Sequence, residues 1–156
     1  MEIIIDRSCK NRQSVANHPL YGKAVFLKCG YHNPQPNCYD HTKNGAGSVS
    51  TCGLLHEDFI KRKKFPDKIV LRSVWNFDSI VSLYLLTFRS LVSTEQTNNI
   101  VSLADTWTRI GPIVEPTLNQ MTLSVLRTAQ QKFSFKENEV GEIDLAEMAK
   151  EAVRSL

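Results

Sequence analysis

The chain of 156 residues lacks any uninterrupted apolar run of the ~20 residues that a membrane-spanning helix needs. Its most apolar stretch, "IVSLYLLTF", contains Ser82 and Thr87 and is followed at once by Arg89. The first ten residues, "MEIIIDRSCK", lack the basic start, the long apolar middle and the small-residue cleavage site of a signal peptide. We therefore expect a cytoplasmic protein that makes no use of a membrane.

Cysteine is scarce too, with four residues in the whole chain. In a cytoplasmic protein such cysteines are thiols or metal ligands rather than disulfides. The sequence also has no internal repeat and no low-complexity tract, and its length suits one hydrophobic core. We predict a single domain over residues 1–156.

Neither sign of charge dominates, since the formal net charge is +3. Residues 1–72 nevertheless carry 12 Lys and Arg against 6 Asp and Glu, and "KRKK" at Lys61–Lys64 is the densest basic run. Such a run suits a phosphate-rich partner, but cations are also favourable at the C-terminal end of a helix. We favour the interpretation of this run as the end of a helix, so nucleic acid is a possible but not a favoured partner.

Three short runs rich in β-branched and aromatic residues predict strands: "EIIID", "KAVFLKC" and "DKIVLRSVW". Between the second and third runs, "SVSTCGLLHEDFIKRKK" has the apolar spacing of a helix, with one face formed by Val49, Cys52, Leu55, Phe59 and Ile60. A strand, loop, helix, strand unit of this kind has a right-handed crossover and parallel strands. We predict an α/β fold with a small, mainly parallel sheet flanked by helices.

The second half of the chain has helical patterns. Residues 1–75 are predicted to be strand-rich and residues 76–156 mostly helical, with helices over 77–92, 94–107, 116–133 and 142–154. The helix that begins at Phe77 is apolar on most sides, which predicts a central position.

The polar segment over residues 32–47 is long for a connection inside a compact domain, which marks it as a functional loop. It follows one predicted strand and leads into a predicted helix. In open α/β sheets, ligands bind outside the carboxyl ends of the strands. We therefore expect the functional site in this loop and at the start of the helix.

One interpretation of the segment is a zinc site. "CGYHNPQPNCYDH" reads as two Cys-x2-His hooks, which offer two thiolates and two imidazoles from Cys29, His32, Cys38 and His41. This is a tetrahedral nitrogen and sulfur set of the kind that zinc prefers. A domain of this class would use the metal to stiffen one loop for a protein partner. A thiol at the end of an apolar strand is more often part of the core, however, and we assign Cys29 to the core.

A second interpretation starts from Asp40 and His41, which are adjacent oxygen and nitrogen ligands. They are followed by "GAGSVSTCGLLHEDF", a glycine-rich turn with hydroxyl residues that opens a helix. Free backbone N–H groups at a helix N-terminus bind anions, phosphate above all. A metal ligand pair beside an anion site is the arrangement of a metal-assisted phosphoester site.

The stretch "YDHTKNGAGSVSTCGLLHEDFI" resembles the part of the DHH phosphoesterases that contains their Asp-His-His signature and the helix start that follows it. A second segment, "VWNFDSIVSLYLL", is similar to that family's His-x-Asp-x-Asp motif and retains Asp78, although it follows the first motif here instead of preceding it. The resemblance covers about residues 39–59. It implies a parallel α/β sheet, Mn2+ or Mg2+ as cofactor, and phosphoesters of nucleotides, oligonucleotides or polyphosphate as substrates.

On this resemblance, the metal-binding and catalytic residues are Asp40, His41 and Asp78. Asp105 is a further metal ligand, expected from its position, as is Asp6 at the end of the first strand. The phosphate is expected to lie against the helix start, at Gly47, Ser48, Ser50 and Thr51.

The chain also departs from the family pattern, because Thr42 stands at the second His of the signature and Asn76 and Ile80 stand at two other ligand positions. Three functions follow: a metal-dependent phosphoesterase, a catalytically inactive protein or accessory subunit that binds phosphate or a nucleotide, and a zinc-stiffened interaction module. The expected partner is a phosphorylated small molecule or nucleotide, with a protein partner or a second copy of the chain as further options.

Overall fold

A computed structural model of the chain describes residues 2–41, 49–61, 64–72, 77–88 and 94–110. In chain order these residues form β1 (Glu2–Ile5), α1 (Arg12–Ala16), β2 (Val25–Leu27), β3 (Cys38–Tyr39), α2 (Thr51–Lys61), β4 (Lys68–Leu71), α3 (Phe77–Phe88) and α4 (Thr94–Ile110). The strands build one sheet in the order β1-β4-β2-β3, and all of the paired strands are parallel. The predicted α/β fold with a small parallel sheet is therefore confirmed.

The two crossovers that contain a helix run in opposite directions along the sheet. The connection from β1 through α1 to β2 passes β4, and the connection from β3 through α2 to β4 passes back over β2. Right-handed crossovers of opposite direction lie on opposite faces of a sheet. One face accordingly packs Phe26 and Val70 against Val15 of α1, while the other packs Leu27 and Leu71 under the helices α2, α3 and α4.

Helix α3 is the centre of the second layer. Its first ten residues, Phe77 to Leu86, are all buried, so it is covered on every side, as its apolar sequence predicts. It packs between α2 and α4, and α4 also contacts α2. The segment predicted as helix over 94–107 is helical from Thr94 to Ile110.

The structure contains two elements, β3 and α1, that the sequence did not predict. β3 lies inside the segment predicted as a loop over 32–47, where an antiparallel bridge between Asn33 and Cys38 closes a turn containing Pro34 and Asn37, which has φ 60°. A strand of two residues has no periodicity to detect. α1 is only five residues long and is stabilised by a capping box between Asn11 and Ser14.

One residue of the predicted apolar face of α2 lies outside the core. Cys52 and Leu55 are buried and Phe59 is partly buried, but Ile60 is 71% exposed. It is the second-last residue of α2, which ends at Lys61. The expectation that Ile60 packs in the core was therefore wrong.

The helices predicted over 116–133 and 142–154 lie outside the described residues, as does the glycine-rich turn with Gly47 and Ser48. Within the part of the chain that the structure describes, no helix is both long and apolar enough to cross a membrane.

Two glycines give a matched test of backbone constraint. Gly30 and Gly22 both have positive φ, at 73° and 78°, but a Cβ on Gly30 would lie 2.1 Å from the Lys10 carbonyl oxygen, whereas a Cβ on Gly22 meets nothing within 4 Å. Gly22→Ala should lower the free energy of unfolding by about 1 kcal/mol, the cost of the left-handed conformation alone. Gly30→Ala should lower it by about 3 kcal/mol, because the loops at Lys10 and Gly30 must also separate. Urea unfolding measures both, and equal losses would contradict the close approach.

Candidate functional site

The four strands end together at one edge of the sheet. Their last residues are paired in register, so the residues that follow them stand in a row with neighbours about 4.8 Å apart. Each of these residues is charged; in sheet order they are Asp6, Arg72, Lys28 and Asp40. This carboxyl edge is where open α/β sheets bind ligands, and it is the edge that the sequence predicts.

Lys28 lies at the centre of the candidate site. Its side chain is only 5% exposed, and its Nζ lies 3.3 Å from Asp40 Oδ1, 3.3 Å from Asp78 Oδ2 and 3.1 Å from His41 Nδ1. The backbone of Lys28 has φ 58°, which ends the alternation of β2. The side chain is thereby directed to Asp78 on α3, and the ammonium group donates to the two carboxylates. His41 Nδ1 lies 2.9 Å from Asp40 Oδ1 as well, so it accepts from Lys28 only in the tautomer without a proton on Nδ1.

Asp40 is held in place by its own backbone surroundings as well as by Lys28. Its Oδ1 accepts from the His41 N–H at 2.8 Å, and its Oδ2 accepts from the Gly30 N–H at 2.8 Å. Burial raises the pKa of the Asp40 carboxyl, but the charge of Lys28 and these two N–H groups outweigh burial, so the pKa lies below its usual value. Asp40 is therefore ionised at neutral pH and forms a charged pair with Lys28.

Asp78 connects the site to the start of α2. Its Oδ2 accepts from the Thr51 N–H at 2.9 Å and its Oδ1 from the Cys52 N–H at 3.0 Å, in addition to the contact with Lys28. These N–H groups belong to the first turn of α2, where backbone donors lack partners inside the helix and the dipole favours an anion. Asp78 therefore caps α2 from the first turn of α3.

Asp105 on α4 accepts hydrogen bonds from the residues just before α2. Its Oδ1 accepts from the Val49 N–H at 3.2 Å, the Ser50 N–H at 3.0 Å and the Ser50 hydroxyl at 2.6 Å. The predicted metal ligand thus contacts the entry to α2 and not Lys28. Two carboxylates of the chain itself hold the helix start at which phosphate was predicted to bind.

The predicted phosphate contacts are consequently only partly available. The N–H groups of Ser50 and Thr51 are bonded to Asp105 and Asp78, and both residues are fully buried. The Thr51 hydroxyl is buried without a hydrogen-bond partner. Gly47 and Ser48 lie outside the described residues, so their predicted role stays a prediction.

The three predicted catalytic residues do come together, but around a lysine. Asp40, His41 and Asp78 each place an oxygen or nitrogen atom 3.1–3.3 Å from Lys28 Nζ, which is the length of a hydrogen bond. Metal–oxygen contacts of Mg2+ are about 2.0–2.1 Å, and the ion would need the position that the ammonium holds. As folded, these residues do not fit a divalent metal, and the described residues contain no group of three or more His, Cys, Asp and Glu that could hold one.

The alternative zinc ligands are bonded to different partners in the structure. Cys29 donates to the Leu27 carbonyl, as a core thiol does, and Cys38 donates to that of Pro36. His32 Nδ1 accepts from the Asp40 N–H at 3.3 Å, and His41 contacts Lys28. Burial raises the pKa of Cys38 to about 11 and that of Cys29 far beyond its usual value, which disfavours the thiolate that binds metal. The structure does not bring these four side chains together.

Sequence reasoning did not assign Lys28 or Arg72 to the site. Both lie inside the runs predicted as strands, "KAVFLKC" and "DKIVLRSVW", whereas in the structure each directly follows the last residue of its strand. What the sequence could not give is the left-handed backbone at Lys28, which turns its side chain toward α3.

A second polar cluster lies at the end of β1. Asp6 Oδ1 accepts from the Ser8 N–H at 3.0 Å and from the Ser8 hydroxyl at 2.5 Å, and Asp6 Oδ2 lies 3.2 Å from His18 Nε2. The Leu20 N–H donates to His18 Nδ1 at 3.0 Å, which places the ring proton of the neutral imidazole on Nε2. Both ring nitrogens are therefore engaged, and the cluster ties the loop at His18 to the sheet.

A scan against protein-family models, a search of curated proteins and a search of solved structures each found no match for the chain.

Removal of the Asp78 carboxylate tests its double role. Asp78→Ala leaves Lys28 with one carboxylate and two N–H groups of α2 without a partner, so it should lower the free energy of unfolding by about 3–5 kcal/mol. Asp67→Ala is the matched control, since Asp67 is an exposed aspartate. It should change stability by less than about 0.5 kcal/mol. Denaturant unfolding of the two variants measures the difference, and a similar small loss in both would show that Asp78 caps nothing.

The Asp6 cluster predicts a pH-dependent contribution to stability. The Ser8 hydroxyl, helped by the Ser8 N–H and His18, outweighs burial and lowers the pKa of Asp6 in the folded protein. A lowered pKa stabilises the fold above the unfolded-state pKa of about 3.9, and this stabilisation is lost as the pH falls through the folded-state value. Asp6→Asn should therefore cost about 1 kcal/mol at pH 7 and almost nothing at pH 2.

The experiment is urea unfolding of both proteins across this pH range, with Asp67→Asn as control. A stability difference between wild type and Asp6→Asn that is the same at pH 7 and pH 2 would rule out the lowered pKa.

Proposed function

We propose that the chain is a relative of the DHH phosphoesterases that binds a phosphorylated, nucleotide-type ligand at the carboxyl edge of its sheet without a catalytic metal. The observation that carries the proposal is the position of Lys28 between Asp40, Asp78 and His41. In a metal-dependent phosphoesterase, ions between such residues would activate the attacking water. An ammonium group offers neither an open coordination position nor a bound water, so the arrangement supports binding over hydrolysis.

Arg72 supports the choice of a phosphorylated ligand. It follows β4, the strand between β1 and β2, and is half-buried. It forms no hydrogen bond or ion pair within the described part of the chain. A guanidinium group is a planar donor that matches phosphate oxygens in pairs. Such a group at a ligand-binding edge, with no acid of the described residues bonded to it, suits an external anion.

Lys28 also makes the edge more acceptable to an anion. Asp40 and Asp78 together carry two negative charges, and the ammonium group offsets one of them. A phosphate at Arg72 then meets less repulsion from the carboxylates than it would without the lysine. Lys28 in this function is a positioning and neutralising residue, whereas Arg72 contacts the ligand.

Binding and hydrolysis are separated by two measurements on the wild-type protein. Titration calorimetry in EDTA with AMP should give a dissociation constant between about 10 μM and 1 mM, and adenosine should not bind. Arg72→Gln should weaken AMP binding at least about tenfold, which is 1.4 kcal/mol, whereas Lys64→Gln, at an exposed lysine, should leave it unchanged. Hydrolysis of bis(p-nitrophenyl) phosphate should stay at the buffer rate with and without Mn2+.

The opposite results would overturn the proposal in recognisable ways. Hydrolysis that depends on Mn2+ and is lost in Asp40→Asn would make the protein a metal-dependent phosphoesterase. One zinc per chain, lost in Cys29→Ala, would make it a zinc-stiffened module. If the protein binds neither AMP nor inorganic phosphate in EDTA, a phosphorylated ligand is ruled out.

A further inference from the structure

The position that a divalent cation would take in this site is filled by a side chain of the protein. We propose that the Lys28 ammonium is a permanent internal counter-ion, which holds Asp40, Asp78 and His41 together and closes their common centre to divalent metals. The inference deepens the proposed function and rests on it. It adds that the same three residues form a metal site once the charge of Lys28 is removed.

The first step of the argument is geometric. Two carboxylate oxygens and one imidazole nitrogen surround Lys28 Nζ at nearly equal distances of 3.3, 3.3 and 3.1 Å. His41 Nδ1 also lies 2.9 Å from Asp40 Oδ1, so it accepts from Lys28 when it carries no proton and donates to Asp40 when it carries one. Mixed carboxylate and imidazole sets of this kind also bind divalent transition metals. The centre is thus suitable for a cation, and the cation present is Lys28.

The second step is electrostatic. The side chains of Asp78 and Lys28 are 4% and 5% exposed, and that of Asp40 is 13% exposed, so water does little to neutralise the two carboxylates. Apart from Lys28 and His41, no charged side chain of the described residues contacts either carboxylate. The ammonium is therefore their main counter-charge, and it is attached to the same chain.

The third step is the exclusion of metal. A divalent ion at the centre would lie against a buried ammonium and would be repelled by it. Lys28 has little room to withdraw, because its side chain is only 5% exposed and its ammonium lies 3.3 Å from both Asp40 and Asp78. The charge of the lysine therefore opposes a metal ion at this position.

The experiment compares Mn2+ binding by the full chain and its lysine variants, with the electron paramagnetic resonance signal of free Mn2+ as the readout. Wild type should bind Mn2+ only weakly. Lys28→Met should bind at least about tenfold more tightly, and Mn2+ should raise its melting temperature. Lys23→Met is the matched control at an exposed lysine, and Lys28→Arg keeps the charge. Neither should gain affinity.

The double variant Lys28→Met/Asp40→Asn should lose the gained affinity, which assigns the ion to this centre. If Lys28→Met does not fold in EDTA, Lys28→Gln gives the same comparison, because its amide retains a donor for the carboxylates. No gain of affinity in either neutral variant, or an equal gain in Lys28→Arg, would overturn the inference. Such a result would leave AMP binding by the wild type in EDTA untouched, so a failure here is distinct from a failure of the proposed function.

Discussion

Asp78 uses its two carboxylate oxygens in three directions: toward the N–H groups at the start of α2, toward Lys28 after β2, and toward Ser82 on its own helix. The first two contacts join α3 to the start of α2 and to the end of β2. The start of α2 fixes the direction in which the chain leaves the carboxyl edge, and Lys28 fixes the centre of the candidate site. Because one buried carboxylate serves both, the packing of the helical layer and the geometry of the site are coupled. Asp105 repeats the arrangement from α4 and holds the residues that precede α2.

The parts of the fold that the sequence predicts are those with strong patterns. β1, β2 and β4 are short runs of β-branched and aromatic residues, and α3 is apolar on every side; each appears where the pattern indicates. β3 has two residues, and its strand character comes from hydrogen bonds to β2 and from a turn, which no local pattern reports. Ile60 has the spacing of the apolar face of α2, but spacing alone does not say which positions of that face other elements cover.

Some features of the candidate site could likewise be predicted from the sequence, and others could not. The sequence predicts a functional loop and a helix start at the carboxyl edge, and the resemblance groups Asp40, His41 and Asp78. In the structure, β3 brings Asp40 and His41 to that edge and Asp78 opens a helix beside it, but β3 itself could not be predicted. The sequence also indicates a helix start that favours an anion at Ser50 and Thr51. It cannot say which anion is present, and in the structure the carboxylates of Asp78 and Asp105 occupy the donors. The role of Lys28 depends on a positive φ at a residue that is not glycine, which is set by tertiary contacts.

The strand order has a consequence for folding during synthesis. Among the described strands, β1 lies at one margin of the sheet and pairs with β4 alone, and the register joins Glu2 to Lys68 and Ile5 to Leu71. More than sixty residues separate these partners, so β1 is synthesised well before the strand with which it pairs. Until then "EIII" is a short apolar segment with unpaired backbone groups, the kind of edge that seeks other chains. Glu2 and Asp6, which flank the three isoleucines, give the nascent segment negative charge until β4 is available.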